Sequence, residues 1–550
     1  MRRPIRTKTL MVITVVLLAI PATVYTQGSE LAEIAPERAA ASVSPVQAAV
    51  RHLPELPEIP IEDDIFAVDV PPSELPVSEV PLPDIPRDAV TPAGMIAEQD
   101  QIFFNATLGG GSVNSILGSI NVYRLGDGTQ FRIGYDHQGA DGFNLEKPGT
   151  GFFVQENELD GWIRFGGDGP FTVELDGGYA DRRFGLQQHS PYYSQDSRAF
   201  TGTLRGTYSP ETRIGLEGSV AFEEQQRVLS TGDPDIEYVQ NTYRRVQPEL
   251  TGTLEWPRFR VELGGRYDGA FPSDMHLSDA SVFSAHLGLE VVPLDGLTLG
   301  ARGATLFRLD DGIYFPAEGY LSYRGHDRWT LDLSGGYRVV ENDPTSHWKD
   351  YPGADWNPGT TLGQKRLPAD EAFHLDGTLG VTVIPGLLDV RGEAGRTYHT
   401  DRLIPENFDD GTSSYPYRVA AFASLESTIG AEVALTERLR LDGSWSSSWE
   451  DRLPGSAHHR VASTLTAEIS DLTGTARVEM PIAPGAGVLP VVDLNARYEM
   501  FRDVEFRLYA LDILAPGLDG GRSLRGVAPD GDDPFISAGF QLGAAVRVSF

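Results

Sequence analysis

From Gln101 to Phe550 this chain alternates apolar and polar residues with a period of two, in one segment after another. Phe131, Ile133 and Tyr135 alternate with Arg132, Gly134 and Asp136. Phe171, Val173, Leu175 and Tyr179 alternate with Thr172, Glu174 and Asp176, and Trp329, Leu331, Leu333 and Tyr337 with Thr330, Asp332 and Arg338. Successive side chains of a strand point to opposite faces, so each segment is a strand with one apolar and one polar face. Two architectures use such strands. A soluble sandwich turns the apolar faces inward, whereas a membrane barrel turns them out to lipid around a polar lumen.

Strand number and loop parity separate the two. The period places about 22 strands, among them 129–138, 211–222, 313–325, 387–398 and 536–550. Counted back from Phe550, the connections alternate in length. The segments 514–535, 482–487, 399–414, 341–370, 223–239 and 139–151 are long. Between them lie tight bends at Arg502, Asp471, Pro385-Gly386, Gly325–Arg328 and Pro210. Outer-membrane barrels keep short turns on the periplasmic side and longer loops outside, with an even strand number. A sandwich has no reason to keep that parity. Tyr179, Tyr208, Phe222, Tyr267, Phe307, Tyr337 and Tyr498 fall near strand ends on the apolar face, which suits two interfacial girdles. The expected fold is therefore all-β: a large transmembrane antiparallel barrel over 101–550.

Both ends of the chain agree with an outer-membrane destination. Arg2, Arg3, Arg6 and Lys8 precede an apolar run from Leu10 to Val24, too short to span a bilayer comfortably. It reads as a signal peptide over 1–26, with an uncleaved anchor as the alternative. At the other end Gln541, Gly543, Val546, Val548 and Phe550 form a polar-x-Gly-x-x-apolar-x-apolar-x-Phe pattern. That pattern resembles the C-terminal signal read by the barrel assembly machinery; an ordinary amphipathic edge strand ending in Phe is the bland alternative. The chain has no Cys, which excludes disulfides and thiolate metal sites. Its net charge of −33 repels nucleic acid.

Residues 27–100 differ sharply from the strand-patterned remainder of the chain. They hold 15 acids, 3 bases and no strand pattern, and ten prolines fall between Pro54 and Pro92. Proline fixes φ and removes a backbone donor, so this segment is expected to be a disordered, polyproline-like periplasmic stretch. About 40 such residues reach on the order of 120 Å. The segment is either a solvated spacer or a docking arm for a periplasmic protein at 54–92, with Ile65, Phe66 and Val68 offering apolar contact.

Two stretches carry a family resemblance. The opening NATLGGGSVNSILGSINVYRLGDGTQFRIGYDHQGADGF, with Asp141-Gly142-Phe143 in an outer loop, resembles the first strands of TonB-dependent receptor barrels. VVDLNARYEMFRDVEFRLYALDILAPGL resembles their penultimate pair, with Asp512-Ile513-Leu514 where the family usually has Asn-Leu-hydrophobe. The resemblance implies an outer-membrane barrel moving a small solute. That family also carries a globular plug of about 150 residues ahead of the barrel. Here only the Pro-rich acidic segment stands in its place. A wide ring without a plug leaks unless loops fold inward, a separate protein fills it, or the pore is tolerated. The alternative function is a non-transport anchor that displays acidic loops outside and a docking arm inside.

Little in the sequence speaks for chemistry. G-x-S-x-G, H-E-x-x-H and phosphate-loop patterns are missing, so no catalytic residue, metal site or cofactor is expected. His458 and His459 read as surface histidines. Asp409-Asp410-Gly411 and Asp530-Gly531-Asp532-Asp533 lack full calcium-ligand spacing and read as acidic turns. The longest outer loop holds Trp348, Tyr351 and Trp356 among polar residues. Aromatics with polar handles contact organic ligands, or else pack the loop against itself.

Overall fold

The computed structural model describes residues 102–550 apart from 127, 144–145, 167–168, 211–212, 232–238, 310, 326–327, 410, 450–452, 454–457, 483–488, 518–521 and 525–533. Alternating sequence becomes one antiparallel sheet whose strands pair with their neighbours in chain order. The sheet closes on itself. Ile102–Gly111 pairs with Gln541–Ser549, Asn105 facing Ser549 and Gly111 facing Gly543. Past that ladder the Phe104 N–H donates to the Phe550 carbonyl at 3.1 Å, and the Phe550 N–H returns a bond at 2.9 Å. No edge is left to pair elsewhere.

The ring has 22 staves, as the period predicts. Gly312–Tyr314 and Ala317–Gly325 both pair with Leu297–Arg308 and form one interrupted stave. The interruption falls at Phe315-Pro316, where proline cannot donate to the ladder.

Lipid-facing and lumen-facing residues separate along every stave. Ile163, Leu175 and Leu204 lie side by side on three neighbouring staves, with Leu175 49% and Leu204 51% exposed. A belt of such residues around a whole ring is stable only against lipid. On the lumen side, Arg164 donates to Glu174 at 2.7 Å and Arg205 lies 3.2 Å from Glu217. This is a transmembrane barrel of outer-membrane type. Both termini of the barrel lie at the end that carries the short turns, the periplasmic end in such proteins.

Several walls rise higher than the period predicts. The stave expected at 211–222 runs Ile214–Ser230, the one at 129–138 runs Gln130–Asp141, and the one at 387–398 runs Leu388–Pro405. Residues 223–230 are thus wall and not loop. Beyond the membrane both faces of a strand meet polar surroundings, so Glu223, Glu224, Gln225 and Gln226 follow one another and the apolar period vanishes although the ladder continues.

Candidate functional site at the outer mouth

The tall walls surround the one buried apolar cluster found among the described residues. Leu186, Leu229, Tyr243 and Met275 enter it from one part of the ring, and Leu403, Tyr415 and Tyr417 from another. Trp348, Tyr351, Ala354 and Leu367 of loop 342–368 lie between them, joined by Phe535 of loop 512–540. Counted around the ring, the sixth to eighth staves (Ser194–Tyr208, Ile214–Ser230, Val239–Trp256) lie nearly opposite the fifteenth and sixteenth (Leu388–Pro405, Tyr417–Thr436). A single loop that touches both groups crosses the opening.

Side chains of the wall capture this loop by its backbone. Arg227, 1% exposed, donates to the Ala354 carbonyl at 2.7 Å and the Asp355 carbonyl at 3.0 Å. It also donates to Asn241 Oδ1 at 2.9 Å and lies 4.7 Å from the Trp348 ring centre. Asn241 Nδ2 donates to the Trp356 carbonyl at 3.0 Å, and Gln195 Nε2 to the Trp348 carbonyl at 3.0 Å. From the opposite wall, the Tyr417 hydroxyl donates to the Pro344 carbonyl at 2.6 Å. Loop 406–416 adds a parallel bridge between Ala354 and Tyr415. Buried carbonyls need donors, and a guanidinium has five, so one arginine holds two consecutive carbonyls of the loop as well as Asn241.

The loop also builds its own short turns. Asp343 caps Pro344–His347 by accepting from the Thr345 N–H at 2.8 Å, and Pro344 opens that turn because its missing N–H costs nothing there. Burial pushes the Asp343 carboxyl up and the His347 imidazole down, so both lean towards their neutral forms inside the mouth. His347 Nε2 lies 3.3 Å from the Leu403 carbonyl oxygen. Loop 512–540 is held in the same way. Gln187 exchanges two bonds with the Ile536 backbone at 2.8 and 2.9 Å, and Arg522 grips Asp512 at 2.8 and 3.0 Å.

The three aromatics singled out in the sequence do not share one environment. Trp348 (3% exposed) and Tyr351 (2%) sit in the buried cluster. Trp356 is partly buried at its margin, edge-on to Tyr192 at 5.6 Å. His459 stacks with Trp445 and meets Trp449, and Asp409 accepts from the Gly411 N–H at 2.9 Å in a tight turn. No metal-holding group of His and carboxylates occurs among the described residues. Asp410, residues 530–533, Ile65, Phe66 and Val68 lie outside the described residues. Sequence reasoning missed Arg227, Asn241 and Gln195. In EEQQRVLS, Arg227 is one more charge on a polar stretch, and nothing marks it as buried.

The seam gives the C-terminal motif a geometric reading. Gly543 lies beneath the Tyr509 ring and against the Gly110 carbonyl, where a Cβ would collide with both. Gly109 and Gly111 on the first strand press equally closely on the Leu542–Ala545 backbone.

No family model and no curated protein matches this chain. Solved structures do. A mutant of the ferric enterobactin receptor PfeA from Pseudomonas aeruginosa superposes with a TM-score of 0.61 at 12% identity, over 82% of this chain and 81% of that one. The copper transporter OprC gives 0.62 at 15% identity, over 82% and 80%. The FrpB iron transporter from Neisseria meningitidis gives 0.60 at 12% identity, over 82% of each. At these identities the likeness is one of fold. The barrel has the 22-stave architecture of TonB-dependent receptors, as the two sequence stretches suggest.

Proposed function

We propose that this protein moves a small solute across the outer membrane, through a barrel whose outer mouth is shut by its own loops. One observation carries the reading: loop 342–368 spans the opening of a closed, charge-lined ring and is fastened to nearly opposite walls. An anchor needs only an apolar exterior and has no use for a built closure across its lumen. The solved barrels of the same fold are named as iron, copper and siderophore receptors or transporters, which is consistent with transport here. Trp356 and Tyr192, at the accessible margin of the closure, are the proposed first contacts for the solute. Trp348 and Tyr351 become available to it only once the loop lifts.

Replacing 344–366 by a short Gly-Ser linker should turn the purified barrel from a closed or weakly conducting state into a wide, steady ion pore in planar bilayers. A strain lacking the gene should show reduced energy-dependent uptake. A replaced barrel that inserts correctly yet conducts no better than the parent would leave the anchor reading in place, as would loss of envelope integrity with unchanged permeability.

The Pro-rich segment is proposed to recruit a periplasmic partner, with Ile65, Phe66 and Val68 as the apolar contacts. Prolines lower the entropy an extended segment loses on docking. Because the staves satisfy their own hydrogen bonds around the ring, removing 28–95 behind an intact signal peptide should leave barrel assembly unchanged while function falls. A photocrosslinker at Phe66 should trap a periplasmic protein in the full-length chain. If no partner is trapped and activity survives the deletion, the segment is only a spacer.

A further inference from the structure

We infer that Arg227 is the catch of the mouth closure and that solute contact at Trp356 works directly on it. The inference rests on the proposed transport role, which requires loop 342–368 to leave the opening. Of all the bonds fastening that loop, those at the carbonyls of Ala354, Asp355 and Trp356 are concentrated on two wall side chains. Arg227 holds the first two, Asn241 holds the third, and Arg227 holds Asn241 at 2.9 Å. Asn241 also donates to the Asp274 carbonyl at 2.7 Å, tying the neighbouring loop into the same node.

Trp356 therefore has two ends with different jobs. Its carbonyl is in the catch, and its ring is at the margin beside Tyr192. A solute that rotates the Trp356 ring away from Tyr192 pulls on a backbone whose three consecutive carbonyls are held by Arg227 and Asn241. Losing the Ala354 and Asp355 carbonyls takes two acceptors from a buried guanidinium and leaves it Asn241 Oδ1. Asn241 is itself the donor to Trp356, so the three bonds are coupled through one node and break together. The ties towards either end of the loop, at Pro344 and Leu367, act as hinges about which the middle swings. The Gln195 bond to Trp348 and the Tyr415 backbone bridge to Gly353 and Asp355 part as the middle moves. Arg227 is a positioning residue for the closure and has no contact with the solute.

The chain's lack of cysteine makes the test clean. Ala354 is buried, and Ala354→Cys adds one sulfur at the held segment. In membranes the Ala354→Cys thiol should react slowly with a bulky hydrophilic maleimide, and adding Arg227→Gln should raise that rate at least about tenfold. Asn241→Leu should give a smaller rise in the same direction. Ion conductance of Arg227→Gln should lie between the parent and the barrel whose loop 344–366 is replaced. Heat-modifiable migration of each variant reports correct assembly. If the loop-replaced barrel conducts while Arg227→Gln labels and conducts like the parent, the catch is overturned and the transport reading stands. If the loop-replaced barrel does not conduct, the transport reading itself fails. Should Arg227→Gln not assemble, Asn241→Leu and Arg227→Lys carry the test, and unchanged labelling in both overturns the proposal.

Discussion

Leu175→Arg is expected to destabilise the lipid-inserted barrel by about 2–4 kcal/mol, the range for an arginine facing lipid near the midplane, whereas Asp176→Arg should cost far less. The two positions are adjacent in sequence and opposite in environment. Leu175 lies between Ile163 and Leu204 in the outward belt. Asp176, on the other face, shares the lumen with Glu174, to which Arg164 and Arg205 already turn. A charge reversal there stays hydrated, and a new arginine finds carboxylates within reach. Titrating refolding into lipid vesicles measures both variants on one scale. Equal losses would mean that the two faces have been assigned to the wrong surroundings.

Damage at the closing seam should be larger still, because a barrel that cannot close has no stable intermediate in the membrane. Phe550→Ser or deletion of Phe550 should sharply lower the amount of heat-modifiable barrel recovered from the outer membrane. Phe550 is 74% exposed, its side chain tilts against Phe104 at 6.2 Å between ring centres, and its backbone makes the last two bonds of the seam. Deleting the residue removes both bonds, whereas the serine variant keeps them and loses the ring. Gly543→Leu tests the same seam from the lumen side. Its side chain would have to displace the Tyr509 ring and push against the Gly110 backbone, and the second of these cannot yield without shifting the strand. Fractionation that recovered parental amounts of all three variants would show that closure does not depend on this terminal strand.

How far the sequence alone could be read depended on whether a residue's role was set by its immediate neighbours. Stave number, the parity of long and short connections and the outward belt all follow from alternation, a local property that lipid on one side and water on the other impose residue by residue. The seam was legible too, since Gly543 and Phe550 belong to a short contiguous pattern. Legibility stopped at the membrane boundary. There the wall of Ile214–Ser230 continues through Glu223–Gln226 with polar residues on both faces, and the period that marked strands elsewhere is lost.

The closure of the mouth was decided only in three dimensions. Trp348, Tyr351 and Trp356 stand out in the sequence as one aromatic group, yet two are buried and one lies at the margin, because the loop crosses the ring and packs on walls nearly opposite each other. Arg227 meets its acceptors across 127 and 128 residues of chain. Those acceptors are backbone carbonyls, which every residue carries alike, so no side chain at Ala354 or Asp355 advertises the bond. The sequence determined that a ring would form and which face would meet lipid; closing the ring then brought Arg227 within reach of a loop that nothing local connects to it.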